Sequence, residues 1–227
     1  RGGGEVERSK VEMEEIFFFQ AEDGIRDPLW SRGLGDVYQR QPTNDPTPTW
    51  SWSAGGGGNG TYRYELDNSD LTSGATETTS TSYTPGSGIS EASHILYVQE
   101  RDAAGNWSSS GSRTIVIDTT APTASVTTAT IPNTGNAVVQ STETGTAYLV
   151  KTTVSVSNLA SITGAADSQQ NSVTISSAAT NTNLAATGLV DGTYKVYAVD
   201  AAGNLSSASS NSVTLDTTAP TASVTTT

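Results

Sequence analysis

The sequence contains no cysteine and a single histidine, His94. A chain without thiols has no disulfide framework and no zinc site built on thiolates. It also has no apolar run long enough to span a bilayer, and no basic start followed by an apolar core and a cleavage site. Stability must therefore come from packing, and chemistry that depends on cysteine is excluded.

Positive charge is scarce after residue 41. The formal net charge is −12, and residues 42–227 hold fourteen Asp and Glu against five Lys and Arg. Nucleic acids and anionic membrane surfaces attract basic proteins, so this balance argues against both as partners. It is compatible with an extracellular chain or with one that collects divalent cations.

Residues 1–41 have a different composition, with nine Asp and Glu and six Lys and Arg. "QAEDGIRD" (Gln20–Asp27) and "WSRGLGDVYQRQ" (Trp30–Gln41) resemble translations of two adaptors from short-read sequencing libraries, in the order in which a library carries them. Gln39 is the one departure, because the adaptor codes for lysine there. We therefore expect residues 1–41 to be an adaptor-derived segment outside the fold, with residues 1–16 of unidentified origin.

Two phrases recur at one spacing in the rest of the chain. "DAAGN" occupies Asp102–Asn106 and Asp200–Asn204, and "DTTAPTASVTT" occupies Asp118–Thr128 and Asp216–Thr226. Both recur after 98 residues, which is too long for a solenoid repeat and typical of a β-sandwich domain. The spacing predicts two tandem domains of this class.

Alternating side chains predict strands in both repeats. The apolar faces of "TYRYELD" and "TYKVYAVD" would be formed by Tyr62, Tyr64 and Leu66 and by Tyr194, Val196 and Ala198. A period of two in runs rich in Thr, Val and Tyr indicates half-buried strands. "GGGGNG" (Gly55–Gly60) predicts a hairpin with Asn59–Gly60 as its turn, and "SNLASIT" (Ser157–Thr163) allows one short helical turn.

The repeated phrases resemble bacterial immunoglobulin-like repeats. The resemblance rests on "VQERDAAGNWSSSGSRTIVIDTTAP" (Val98–Pro122) and "DGTYKVYAVDAAGNLSSASSNSVTLDTTAP" (Asp191–Pro220), and it covers residues 42–227. It implies an all-β chain of tandem Greek-key sandwiches in a large secreted or cell-surface protein of adhesin type. Together with the adaptor-like segment, it suggests a metagenomic fragment.

One position distinguishes the two repeats within that resemblance. "GLVDGTYKV" resembles the approach to a fibronectin-type tyrosine corner, with Tyr194 as the tyrosine. The same register of the first repeat holds Leu96. We therefore expect the corner in the second repeat and its absence, or a different form, in the first.

The repeat also predicts the domain limits. Residues 42–118 would be the first domain, 119–216 the second, and 217–227 the first strand of a third. The second domain has its own opening strand, "APTASVTT", whereas the adaptor-like segment stands where the first domain should have one. We expect the first domain to be truncated, with an exposed sheet edge.

Catalytic candidates are few, and the sequence predicts no enzyme. His94 in "SHILYV" has no base-orienting partner or oxyanion hole that the sequence can locate, so we interpret it as a half-exposed strand residue. Asp67 and Asp70 flank "NS" and indicate a turn rather than a glycosidase pair. Trp50 and Trp52 share one face of "TWSWS", which favours the core over a sugar-stacking surface.

"DAAGN" permits two interpretations. In one, Asp102 or Asp200 accepts backbone N–H bonds in a tight turn whose glycine takes positive φ. In the other, the turn also offers oxygens to Ca²⁺ at a domain junction, with Asp102 beside Asp118 and Asp200 beside Asp216. The family resemblance implies the second arrangement, since related adhesin repeats use interdomain Ca²⁺. No other cofactor is expected.

Two functions remain open at this point. The first is a structural or adhesive stalk whose partners are neighbouring repeats and a host surface or polysaccharide. The second is an accessory module of a secreted carbohydrate-active enzyme. In the second case sugars would bind through exposed aromatic side chains, with Trp50, Trp52, Trp107 and Tyr197 as candidates.

Overall fold

The computed structural model describes residues 42–225 and the backbone of residues 19–21. The remainder of residues 1–41, and with it most of what the sequence predicts for that segment, lies outside the described residues. The chain divides into two compact units. Unit 1 contains Pro46–Val116 and residues 19–21, and unit 2 contains residues 42–45 and the chain from Ile117 onward.

Unit 1 consists of two antiparallel sheets. Its strands in the described residues are β1 (Phe19–Ala21), β2 (Trp50–Trp52), β3 (Gly58–Leu66), β4 (Thr76–Thr78), β5 (Ser82–Tyr83), β6 (Ser93–Asp102) and β7 (Gly111–Val116). One sheet has the order β1-β2-β5, and the other has the order β4-β3-β6-β7.

Unit 2 repeats this plan with one strand and one helix more. Its elements are β8 (Ala124–Val126), β9 (Ala129–Ile131), β10 (Asn136–Ser141), β11 (Gly145–Lys151), α1 (Leu159–Thr163), β12 (Gln170–Ile175), β13 (Thr182–Ala185), β14 (Gly192–Asp200) and β15 (Val213–Leu215). The sheets have the orders β13-β10-β8 and β12-β11-β14-β15-β9. In the part of the chain that the structure describes, no helix is long and apolar enough to cross a membrane.

Strand order identifies the fold of both units. β2 and β5 correspond to β10 and β13 in the small sheet, and β4-β3-β6-β7 corresponds to β12-β11-β14-β15 in the large one. Successive strands such as β2 and β3 belong to different sheets, so the chain crosses repeatedly from sheet to sheet. The predicted fold class, all-β with tandem immunoglobulin-like sandwiches, is confirmed.

The alternation read from the sequence forms the core. In β14, Tyr194, Val196 and Ala198 are 0%, 0% and 1% exposed, and they pack in one apolar cluster with side chains of both sheets of unit 2. In β3, Tyr62 is buried, whereas Tyr64 and Leu66 of the predicted apolar face are only half-buried. Burial of one face by the opposite sheet is what a period of two requires of a sandwich.

Trp50 and Trp52 belong to the core of unit 1, as predicted, since both are buried. The Trp50 indole donates to the carbonyl of Arg113 at 3.2 Å, and the Trp52 ring lies edge-on to Tyr62 with centroids 5.9 Å apart. Neither indole is available to stack on a sugar.

The helical turn is also confirmed, as α1. Asn158 caps it, because its side chain accepts the Ser161 N–H at 2.9 Å, while the Ser161 hydroxyl accepts from the Asn158 N–H. This reciprocal capping box satisfies backbone donors that a helix start otherwise leaves without partners. Ile162 is the buried residue of the turn.

Two local predictions were wrong. Asn59 and Gly60 do not form a hairpin turn, because they lie inside β3 at a register shift between Gly58 and Thr61. The edge of β2 is not open along its whole length, because the backbone of β1 pairs with it, with Phe19 opposite Trp52. The edge of a sheet has unpaired N–H and C=O groups that can bind any extended segment. Residues 19–21 pair with these groups of β2.

The tyrosine corner is present in unit 2. The Tyr194 hydroxyl donates to the carbonyl of Val190 at 2.6 Å, and its ring is fully buried. Burial raises the pKa of Tyr194, although the bond to Val190 acts in the opposite direction. Leu96 occupies the matching position of unit 1, fully buried and without a hydroxyl. The bond therefore ties the start of β14 to the preceding loop in unit 2 only.

We expect Tyr194→Phe to destabilise unit 2 by about 0.5–1.5 kcal/mol, because the hydrogen bond from the buried tyrosine to the Val190 carbonyl is lost. Calorimetry measures this as a lower melting temperature. Tyr197→Phe is the matched control, since the Tyr197 side chain is only half-buried. Equal stability of the parent and the Tyr194 variant would contradict a structural role for the corner.

Candidate functional site

The two "DAAGN" turns have the same geometry. After β6, the side chain of Asp102 accepts the Asn106 backbone N–H at 2.8 Å and the Asn106 amide at 3.0 Å. After β14, Asp200 accepts the same two groups of Asn204 at 2.9 and 2.8 Å. Each carboxylate thus accepts two hydrogen bonds from the asparagine four positions later. This is the braced turn that the first of the two interpretations of "DAAGN" describes.

Glycine closes each turn. Gly105 and Gly203 have φ of +96° and +92°, a region that L side chains rarely adopt. Hydrogen bonds from the Asn106 side chain and backbone stabilise the ionised carboxylate of Asp102 and hold its pKa below the ordinary value. Both turns are therefore held in a fixed conformation by hydrogen bonds to their first aspartate.

The turn of unit 2 makes one further contact. The Asn204 amide also donates to the backbone carbonyl of Asp118 at 2.9 Å. Asp118 is the first residue of "DTTAP", and its side chain accepts the Thr120 N–H at 3.2 Å. The point at which the chain enters unit 2 is therefore fixed to the turn after β14.

Three carboxylates meet at this end of unit 2. Asp118, Glu143 and Asp200 each have an oxygen within 4.8 Å of the others, and Asp200 is buried. Glu143 lies between β10 and β11, two residues before Gly145, which pairs with Asp200. The tight approach needs glycine, since a Cβ at Gly145 would lie 2.0 Å from the Val199 carbonyl oxygen.

The cluster differs from the predicted calcium site. It contains Asp118 and Asp200, which the sequence assigned to different pairs, and neither Asp102 nor Asp216 belongs to it. Asp216 instead accepts the Thr218 N–H at 2.9 Å. Glu143 was not a candidate, because nothing in the repeat marks it.

Like charges at this distance repel each other, and burial strengthens the repulsion. A divalent cation would relieve it, and carboxylate oxygens are the ligands that Ca²⁺ prefers. Three carboxylates nevertheless leave a shell of six to eight oxygens incomplete, and Asp200 already accepts two bonds from Asn204. Calcium binding stays a prediction.

If Ca²⁺ binds here, millimolar Ca²⁺ should raise the melting temperature of unit 2 in calorimetry. Glu143→Gln should abolish the increase, because it removes one charged ligand while keeping the shape of the side chain. Asp167→Asn is the control, as that carboxylate is exposed and outside the cluster. Unchanged melting of the parent chain in Ca²⁺ would refute the prediction.

His94 is buried rather than half-exposed, so the sequence interpretation of this residue was wrong. Its Nδ1 lies 2.7 Å from the Asp67 carboxylate and its Nε2 lies 2.8 Å from the Ser90 carbonyl. Asp67 also accepts the Ile95 N–H at 2.8 Å. Both ring nitrogens face acceptors, so the doubly protonated imidazolium satisfies both.

The charge state of His94 follows from these contacts. Burial lowers the pKa of His94, but the bonds to Asp67 and Ser90 and the charge of Asp67 outweigh it, and the net pKa is raised above the ordinary value of 6.5. A raised pKa in the folded state stabilises the fold fully below the unfolded value, and this contribution is lost as pH rises through the folded value.

Unit 1 should therefore become less stable as the pH rises from about 6 to 8. Tryptophan fluorescence during denaturation reports unit 1, since every described tryptophan lies there. His94→Gln should flatten the profile. Unit 2 has no histidine, so its calorimetric transition is an internal control. A flat profile for the parent chain would contradict the ion pair.

Trp107 follows the turn of unit 1 and is only half-buried. The guanidinium carbons of Arg63 and Arg101 lie 4.4 and 5.6 Å from its ring centroid. Beside it is an open cleft of about 320 Å³. The cleft is lined by Gly56, Gly57, Gly58, Glu100, Arg101, Asp102, Asn106, Trp107 and Ser108.

Glu100 is the unusual side chain of this cleft. It is 5% exposed, and its Oε2 accepts the Gly55 N–H at 3.1 Å. Its Oε1 is buried with no hydrogen-bond partner. The matching position of unit 2 is Ala198, a core residue, so unit 1 holds a carboxylate where its counterpart has a methyl group.

No protein-family model matches the chain, and no curated protein matches it. Solved structures resemble it. The fibronectin(III)-like modules of Clostridium thermocellum CbhA share 12% identity at a TM-score of 0.40, over 87% of this chain and 93% of that one. The chicken CNTN1 FN1-FN3 domains share 14% at 0.43, over 76% of this chain and 61% of that one.

A third resemblance is to SGBP-B of the Bacteroides ovatus mixed-linkage glucan utilization locus, solved in complex with a mixed-linkage heptasaccharide. It shares 12% identity at a TM-score of 0.26, over 88% of this chain and 47% of that one. With identities and TM-scores this low, we transfer no functional residue from any of these structures.

Proposed function

We propose that the chain is a non-catalytic structural spacer, under tension, from a large bacterial extracellular or cell-surface protein of the adhesive kind. The observation that carries the proposal is a parallel strand pair in unit 2. β9, near the start of the unit, pairs in parallel with β15 at its end, from Ala129 opposite Val213 to Ile131 opposite Leu215.

The parallel pairing of β9 with β15 determines how a mechanical force applied to the two ends of unit 2 is transmitted through it. The chain enters β9 at one end of the pair and leaves β15 at the other, so tension along the chain shears all backbone bonds of the pair together. The same closure occurs at the start of unit 2, where Thr43 bridges Ile117 in parallel and accepts the Asp118 N–H at 2.9 Å. Shear across several bonds at once suits a spacer under tension.

The use of polar side chains supports a structural role. Asp102 and Asp200 brace turns, Asp67 and His94 bind each other, and the hydroxyl of Tyr194 binds a backbone carbonyl. These side chains hold the backbone in place. Net negative charge suits an extracellular chain whose partners are neighbouring repeats and a host surface or polysaccharide.

Force spectroscopy on the full chain tests the spacer role. Ile131 accepts the Asp216 N–H at 3.1 Å, and backbone groups alternate in direction along a strand, so Ala129 also faces β15 and Thr130 faces away. Ala129→Pro should lower the unfolding force of unit 2, and its free energy of unfolding by about 1–3 kcal/mol, because a donor to β15 is lost. Thr130→Pro should lower the force less. Equal forces in all three proteins would remove the mechanical argument.

The cleft beside Trp107 favours a second candidate, a carbohydrate-binding module of a secreted carbohydrate-active enzyme. An indole ring next to carboxylate, amide and hydroxyl groups is suited to sugars. Titration with mixed-linkage glucan oligosaccharides should then give heat that Trp107→Leu abolishes, leucine being the residue of the second repeat at this position, Leu205. Absence of heat with the parent chain would leave the spacer role alone.

A further inference from the structure

Asn59 is the one asparagine of the chain that glycine follows. The backbone nitrogen of the residue after an asparagine can attack the carbonyl carbon of the asparagine side chain. A glycine in that place favours the attack, because it has no side chain and its backbone is the least restricted. In a folded protein the reaction also requires that the backbone around the asparagine can adopt the geometry of ring closure.

The backbone at Asn59 meets this requirement. Asn59 and Gly60 form a bulge, because the pairing of β3 with β6 shifts register between Gly58 and Thr61. A bulge leaves its extra residues out of the regular ladder of backbone hydrogen bonds. Both residues are exposed. Gly60 has φ of +79°, and a Cβ placed on it would meet no atom of the described residues within 4 Å. The peptide group that contains the attacking nitrogen is therefore loosely packed.

The side chain of Asn59 is folded over its own backbone. Its Oδ1 accepts the Thr61 N–H at 2.9 Å, and this bond to the second residue along the chain places the amide beside the intervening peptide groups. Its Nδ2 donates to the backbone carbonyl of Asp102 at 3.1 Å. The nitrogen that leaves in the reaction is thus the nitrogen that binds the first residue of the "DAAGN" turn of unit 1.

We propose that Asn59 is a site of spontaneous deamidation, and that its conversion loosens the turn after β6. The Gly60 nitrogen forms a bond to the side-chain carbonyl carbon of Asn59, and the side-chain nitrogen leaves as ammonia with the proton that the Gly60 nitrogen gives up. Water then opens the cyclic imide at either of its two carbonyl carbons. One product is aspartate. The other is isoaspartate, in which the backbone runs through the former side chain.

Both products remove a hydrogen bond from the turn. The amide that donates to the Asp102 carbonyl is replaced by a carboxylate, which only accepts and carries a negative charge. Two oxygen acceptors then face each other where a donor faced an acceptor, and this costs more than the loss of the bond alone. β11, the matching strand of unit 2, contains no asparagine, so the effect is confined to unit 1.

Mass spectrometry of the full chain, incubated at body temperature in mildly alkaline buffer, tests the site. Trypsin places Asn59 in the peptide 41–63, where fragmentation separates it from Asn44. Asn68 is the internal control, since it is also exposed but is followed by serine. Asn59 should convert at least about tenfold faster than Asn68, because only Asn59 precedes glycine. Equal conversion of the two residues, or an unchanged Asn59, would overturn the proposal.

The effect on the turn is measured on the same incubated protein. Tryptophan fluorescence during denaturation should show a lower midpoint for unit 1 after incubation, in proportion to the conversion of Asn59. The midpoint of Asn59→Gln should stay constant, because its longer side chain cannot close the same ring. Asn59→Asp should have the lower midpoint without incubation. A parent midpoint that does not change once Asn59 has converted, or that falls equally in the Asn59→Gln chain, would refute the loosening of the turn.

Discussion

The side-chain amide of Asn204 holds together the end of unit 2 at which the chain enters. It donates to the Asp200 carboxylate and to the backbone carbonyl of Asp118, so the turn after β14 and the start of "DTTAP" cannot move independently. The positions of the three carboxylates follow from this. Asp118 is brought to Asp200 by the amide, and Glu143 is brought there by the pairing of Gly145 with Asp200.

Much of the fold was predictable from the sequence, because the signals are local and repeated. The period of two located β3 and β14, the 98-residue offset indicated two sandwiches, and the approach to Tyr194 indicated the corner. In each case the residues that form the structural feature lie next to the sequence signal that predicts it. The short helix α1 was foreseeable for the same reason.

The candidate site was only partly predictable, since its residues meet across strands. Glu143 reaches Asp200 through the β10–β11 connection. Gly58 pairs with Asp102 as Gly145 pairs with Asp200, so Gly56 stands at the matching position of unit 1, and the repeated phrases gave no sign of Glu143. Asp67 directly follows β3 and His94 lies on β6, and their pairing depends on the register of these two strands, which the sequence leaves open. The hairpin predicted at Asn59–Gly60 was wrong because the pairing of β3 with β6 overrides the local turn preference of these two residues.

The two repeats share their turn sequences and differ inside. Buried Leu96 and Glu100 of β6 stand where β14 has Tyr194 and Ala198. During folding of a tandem chain, neighbours with identical strands can take each other's place and become trapped. A β14 strand in the first sandwich would bring a tyrosine hydroxyl and lose the carboxylate that binds Gly55. We therefore expect unlike interiors behind identical turns to disfavour exchange of the central strands between adjacent repeats during folding.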